Sequence, residues 1–334
     1  MLDSLQALRA LAAVSVVLYH IDFLGRGAFG VDVFFVISGF IICYVTAKEH
    51  RGFLVKRLIR IVPLYWTGTL AVFLLAMLAP SLLRTTSDSL TGLVNSLLFI
   101  PYAKDSGRVY PVLFLGWTLN YEMFFYLLYA LALGFNRKLA PFIVCVALLV
   151  LVLAGQITTP SSVIGRFYTD PILLEFCYGI VVFQVWPAAQ ATLQRVRAPT
   201  LFAAAATLLL AMAAVLAENS SYRCALWGLP AAMLVLFLLA LQGRVAFPSA
   251  VVALGDASYS LYLFHPYALK AVEKTFGPLA EAAPGSLFAA TFYVALSMML
   301  AACAYRYFER PTINLLRGWL LSEGHAASRA MRPA

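Results

Sequence analysis

Apolar residues are gathered into ten long runs, near residues 5–23, 29–47, 61–79, 113–135, 139–156, 168–186, 200–217, 223–241, 250–271 and 285–305, with most of the charge between them. A stretch of about 20 apolar residues is what a helix needs to cross a hydrocarbon core. Each run predicts a helix, because backbone amides in lipid have no water to bond and must be satisfied inside their own segment. The fold class expected is therefore all-α, a polytopic transmembrane bundle of about ten helices. The bundle takes up residues 1–312, and 313–334 form a cytoplasmic tail. Beyond about Leu320 that tail has too few apolar residues to offset the entropy of ordering, so it is expected to lose structure toward its end. The first run has no small-residue cleavage site behind it and ends at His20 and Asp22, which predicts a retained helix, not a signal peptide. Between Pro80 and about Val112 the short apolar piece from Leu93 to Ile100 is too short to span and predicts a re-entrant or interfacial segment.

Composition agrees with this pattern. Of 334 residues, 63% are hydrophobic and 12% charged, against about 45–50% and 25% in soluble domains. The net charge of +9 raises the question of nucleic acid. The basic residues sit between apolar runs, however, not along one face or tail, which excludes that class and makes them a topology signal. Placing Arg9, Lys48 to Arg60, Arg137 with Lys138, Arg195 with Arg197, Arg244 and the C-terminal arginines on the cytoplasmic side puts both termini there. The five cysteines are scattered without a CxxC pair, so neither a disulfide nor a metal site is expected.

An ionisable side chain near mid-bilayer costs at least about 2.5–3.5 kcal/mol, so each one calls for a reason. His20, Asp32, Glu122, Glu175 and His265 stand inside the spans on five different helices, and the charge rule puts all five in the outer half of the membrane. One polar cavity open to the outside would hydrate them together. The plainer alternatives stay open: a membrane histidine often only bonds across a helix pair, and the glutamates suit arginine or tyrosine partners. At the inner side, Arg51, Lys56, Arg57 and Arg60 are concentrated before the third run, where they suit either a phosphate-bearing cytosolic ligand or anionic lipid. Arg9 and His20 are eleven residues apart on the first helix, about 16 Å along one face. A cation at the inner end and an imidazole toward the outer end could thus link a donor entering from inside with an acceptor arriving from outside. Neutral imidazole is suited to removing a hydroxyl proton near pH 7. Tyr65, Trp66, Trp117, Tyr121, Tyr259 and Tyr262 fit carbohydrate stacking or the aromatic belt of any membrane protein.

Six blocks carry a family pattern: Leu5 to His20, Gly30 to Phe40, Arg57 to Trp66, Trp117 to Glu122, Ser258 to His265 and Phe308 to Pro311. Over about residues 2–312 the chain resembles the acyltransferase family 3 membrane proteins, which include O-antigen, exopolysaccharide and nodulation-factor acyltransferases. The resemblance implies that His20 is catalytic, as general base or as transient carrier of the acyl group, that Glu122 lines the reaction cavity, where it is expected to act catalytically by orienting or polarising a partner, and that Arg9, Arg57 and Arg60 support acyl-CoA binding, to which Lys56 beside them is expected to add. An acceptor cavity is expected to draw on Asp32, Ser38, Tyr65, Trp66, Trp117, Asn120, Tyr121, Glu175, Tyr259 and His265. The expected activity is transfer of an acyl group, most often acetyl, from cytoplasmic acyl-CoA to a hydroxyl of a cell-surface glycan or lipid-linked saccharide at a bacterial inner membrane. Acyl-CoA is then a co-substrate, with no permanently bound cofactor and no nucleic-acid partner. Some members carry a fused extracytoplasmic domain after the last helix; this chain is expected to act without one. A transporter or flippase also places polar residues in helices, but would predict two related halves with interrupted helices, and no such repeat is visible. An inactive membrane scaffold would leave the His20 and Glu122 positions unexplained.

Overall fold

The computed structural model describes residues 2–20, 27–79, 89–104, 107–217, 220, 222–282 and 287–330, with side chains except in 271–282, 287–289 and 322–330. The helices in order are α1 (Asp3–His20), α2 (Gly30–Lys48), α3 (Phe53–Leu78), α4 (Leu90–Leu97), α5 (Trp117–Phe135), α6 (Ala140–Thr158), α7 (Val163–Phe167), α8 (Leu174–Leu193) and α9 (Ala198–Ala214). They continue with α10 (Leu229–Leu241), α11 (Ser249–Asp256), α12 (Ser258–Ala282), α13 (Leu287–Ala304) and α14 (Arg310–Ala330). Wide π turns at Cys224–Gly228 and Tyr305–Glu309 lead into α10 and α14. No strand occurs among the described residues, and a helix occupies each of the ten predicted segments as far as they are described.

By length and composition, five helices are able to cross a membrane: Gly30–Lys48, Phe53–Leu78, Ala140–Thr158, Pro171–Leu193 and Cys224–Leu241. The protein is accordingly a multi-pass membrane protein. Among the five predicted segments outside this set are α1 and α5, which carry polar side chains, including Arg9, His20, Asn120 and Glu122. These polar groups are tolerable only where other helices surround them. α1 is the central case: it packs against α2, α10, α11, α12 and α13, with Leu5, Leu8, Ala12, Ala13, Val16 and Val17 buried.

α2 and α8 cross at glycines. A Cβ at Gly39 would sit 2.1 Å from the Phe176 carbonyl oxygen, and one at Gly179 would sit 2.0 Å from that of Val36. Small residues let backbones approach in lipid, where dispersion and not water exclusion drives association. Phe125 of α5 stacks on Phe176 beside this crossing, with centroids 4.4 Å apart. Helix ends are closed by arginine: Arg137 Nη2 donates to the Ala47 carbonyl at the end of α2 (2.6 Å), and Arg244 Nη1 donates to the Leu193 carbonyl at the end of α8 (3.4 Å). Such carbonyls have no partner within their own helix.

The piece expected to be re-entrant or interfacial includes the end of α4, an eight-residue helix packed on α3. The tail expected to lose structure beyond about Leu320 is helical as far as Ala330. Asp22, most of the Pro80 end of the long connection and residues 331–334 lie outside the described residues.

Candidate active site

α1 delivers its two chemistry-bearing side chains into two different cavities. The His20 end opens on a cavity of about 750 Å³ whose wall includes Tyr110, Trp117, Tyr121, Arg166, Arg223 and Tyr262. His20 Nδ1 lies 2.8 Å from the Val16 carbonyl oxygen and 3.3 Å from Nε2 of His265. His265, 1% exposed, has its own Nδ1 3.0 Å from the Leu261 carbonyl oxygen. A carbonyl only accepts, so both Nδ1 atoms carry the proton when the rings are neutral. Nε2 of His265 then accepts from His20 Nδ1–H, and Nε2 of His20 holds the lone pair. This is the tautomer a general base requires, imposed by two acceptors on the opposite ring nitrogen.

Asp32 and Glu175 lie deeper. Asp32 is fully buried and receives a bidentate pair from Arg223, Nε to Oδ1 at 2.9 Å and Nη2 to Oδ2 at 2.8 Å. The Arg223 guanidinium also lies over Trp227, 5.1 Å from the ring centroid. Glu175 is fully buried beside Asp32, and the two carboxyl groups interact directly. Trp117 and Tyr121 meet edge to face, and Tyr121 stacks on Phe167 at 3.9 Å. An aromatic wall of this kind suits the apolar face of a sugar ring.

A second, smaller cavity of about 110 Å³ lies at the Arg9 end. Arg9, Arg57 and Arg60 converge there with Ser38, Glu122, Tyr126, Ser258 and Tyr259. Arg57 and Arg60 are three residues apart on α3 and so share a face. Arg9 Nη2 donates to Ser258 Oγ at 2.9 Å. Ser38 Oγ donates to Glu122 Oε1 at 2.9 Å, the Tyr126 hydroxyl donates to the same oxygen, and the Arg57 guanidinium lies 5.8 Å from the Tyr126 ring centroid. Nε of Arg57 and Nη2 of Arg60 are buried and have no hydrogen-bond partner among the described residues. Three guanidinium groups, two of them with an unsatisfied donor, give this cavity the chemistry that suits an anion. Behind it Glu309 accepts from Ser260 Oγ (2.6 Å); burial pushes its carboxyl above the usual range, opposed by the charge of Arg60.

The single chamber expected from sequence is thus two cavities, which share Val31 and Tyr262 in their walls. Glu122 lines the arginine cavity, whereas His20 lines the other. Glu122 follows Trp117 by five residues, about 7.5 Å deeper and about 140° around α5, so one helix serves both. Lys56 is not in the cluster. One position from Arg57 is about 100° of rotation, and Lys56 pairs instead with Glu49 at 2.8 Å on the surface. Tyr65 and Trp66 line neither cavity: they donate to the Ser96 and Leu97 carbonyls at 3.1 and 2.9 Å and hold α4 on α3. Asn120 is buried outside both cavities, its Oδ1 without a partner among the described residues. Residues the sequence reading passed over are Arg223 and Tyr126. The Asp32–Arg223 pair spans 191 positions, and its only sequence trace was a buried carboxylate in need of a cation.

The sequence profile of the acyltransferase family 3 "Acyltransferase domain" matches residues 2–306. The chain is 34% identical to the exopolysaccharide production protein ExoZ of Rhizobium meliloti over 91% of its own length and 95% of ExoZ. It is 24% identical to the peptidoglycan O-acetyltransferase OatA of Listeria monocytogenes over 95% of its own length, covering 57% of that protein. With the O-acetyltransferase OatA of Staphylococcus aureus it shares 27% identity over 56% of its own length, covering 35% of that protein. No solved structure matches the chain. With a profile that spans nearly its whole length and a relative at this identity, the chain belongs to acyltransferase family 3 and is an O-acetyltransferase-like membrane enzyme.

Proposed function

We propose that the protein moves an acyl group, acetyl first, from cytoplasmic acyl-CoA to a hydroxyl of a cell-surface glycan or lipid-linked saccharide at a bacterial inner membrane. The observation that carries this reading is the pair of cavities joined by α1, with three arginines around one, a histidine of fixed tautomer in the other, and Val31 and Tyr262 common to both. Acyl-CoA approaches from the arginine side, where Arg57 and Arg60 offer donors to its phosphate or carbonyl oxygens. The glycan enters the larger cavity and stacks on Trp117 and Tyr121. In that orientation both termini are cytoplasmic and about ten helices cross the membrane.

The hydroxyl proton passes to Nε2 of His20 while the oxygen attacks the thioester carbonyl. The carbon–sulfur bond then breaks, and the proton on His20 is returned to the departing thiolate of CoA. Val16 and His265 hold the imidazolium by its Nδ1–H during transfer. Glu122, tied to Ser38 and Tyr126, offsets the arginine charge and acts as a positioning residue, not as the base. ExoZ and OatA, by their names, act in exopolysaccharide production and O-acetylation, which supports a glycan acceptor here.

The test is transfer of labelled acetyl from acetyl-CoA to glycan in membranes containing the protein, without a substrate gradient. His20→Ala is expected to abolish transfer and leave the folded protein in the membrane. Wild-type turnover in that variant refutes the assignment of His20.

A further inference from the structure

The wall between the two cavities has a defined construction. Val31 of α2 and Tyr262 of α12 line both sides, and Thr118, which lines the arginine side, follows Trp117, which lines the His20 side. Tyr262 is 6% exposed. Its hydroxyl accepts from Thr118 Oγ1 at 3.0 Å and faces the Leu115 carbonyl at 3.4 Å, while its ring meets Phe34 edge to face at 6.0 Å. α2, α5 and the turn that leads into α5 therefore all hold this one side chain of α12. The arginine cavity runs along α2 from Val31 to Ile41, about 15 Å, with room for only a handful of waters. Its charged groups come from Arg9, Arg57, Arg60 and Glu122, whereas Val31, Phe34 and Tyr262 at the shared end bring no charge.

We propose that Tyr262 and Val31 form a fixed aperture that restricts the transferred group to a short, unbranched, uncharged acyl chain. This rests on the assignment of the arginine cavity to the donor and the His20 cavity to the acceptor. Reaction needs the thioester carbonyl about 3–3.5 Å from the attacking oxygen, so the carbonyl must come up to the wall with its acyl substituent leading. A methyl group passes between an isopropyl and a tethered aromatic ring at little cost. A branch must displace Tyr262 against its hydrogen bonds, and a terminal carboxylate must shed its water among apolar walls. Apolar sites discriminate one added methylene by about 10–200-fold, so acetyl is favoured over isobutyryl and succinyl by at least that order.

The experiment follows CoA thiol release and acyl transfer in membranes containing the full chain, with acetyl-, isobutyryl- and succinyl-CoA. Wild type is expected to use acetyl-CoA alone to any extent. Val31→Ala is expected to raise the isobutyryl-to-acetyl turnover ratio tenfold or more. Tyr262→Phe, which keeps the ring and removes its tether, is expected to raise it by a smaller factor. Size-exclusion profiles in detergent report whether each variant is folded, and a failure of one to fold leaves the other to decide. Equal wild-type use of the three donors, or ratios unchanged in both folded variants, overturns the aperture and leaves the transferase standing. Absence of thiol release from all three donors in wild type overturns the proposed function itself.

Discussion

The sharpest test of the site concerns His265, which touches no substrate in the proposed reaction yet fixes the base that does. His265→Phe removes the acceptor 3.3 Å from His20 Nδ1 and leaves the Val16 carbonyl at 2.8 Å. The remaining carbonyl keeps the tautomer correct for part of the time. What is lost in the transition state is one hydrogen bond to a developing imidazolium, worth about 1.5–3 kcal/mol, or roughly 10–150-fold in rate. The expected result is a fall of that size in kcat with KM for acyl-CoA unmoved, because the arginine cavity is untouched. His265→Gln, whose carbonyl oxygen reaches toward the lost Nε2 position, is expected to recover part of the rate. Steady-state transfer kinetics on folded protein, with His20→Ala alongside, check this. Wild-type kcat in His265→Phe refutes the tautomer argument. Complete inactivity matching that of His20→Ala, in folded protein, refutes the division of roles between the two rings.

Three further outcomes follow from the same geometry. Arg57→Lys is expected to raise KM for acyl-CoA by about 10–100-fold through loss of a charge-assisted bond, whereas Lys56→Ala shifts it little, since the Lys56–Glu49 pair is a surface contact worth at most about 1 kcal/mol; initial rates against donor concentration decide. Arg223→Leu strands the buried Asp32 carboxylate and is expected to destabilise the protein by about 3–5 kcal/mol, while Arg223→Leu combined with Asp32→Leu restores most of that; thermal midpoints in detergent report both. Gly179→Val drives a side chain into the Val36 carbonyl and is expected to cost about 1–3 kcal/mol or more, against no loss for Gly134→Ala, where nothing lies within 4 Å.

Features set by one helix were legible in the sequence. Arg9 and His20 share α1 at a spacing that fixes both their separation and their common face, and Arg57 and Arg60 share α3 at i, i+3. The structure uses both pairs as the spacing implies. Rotation about the helix axis was the lost dimension. Depth alone put Glu122 beside His20, and composition alone put Lys56 beside Arg57; the turn of α5 and of α3 sends each elsewhere. Pairs formed across the fold were not legible at all, because Asp32 and Arg223 have no local pattern in common. Hydropathy was informative in an unplanned way: α1 and α5, which carry His20 and Glu122, are weaker membrane candidates than their neighbours because their polar residues face other helices.

The wall at Val31 and Tyr262 has an electrical consequence. A water-filled pore wide enough for a thioester and a sugar would also conduct ions, and each unit charge leaking down 100 mV dissipates about 2.3 kcal/mol. In the proposed reaction, cavities that meet only at Val31 and Tyr262 would let a neutral acyl group change sides while those two side chains keep the bilayer insulated, so neither bulky reactant would have to be carried across.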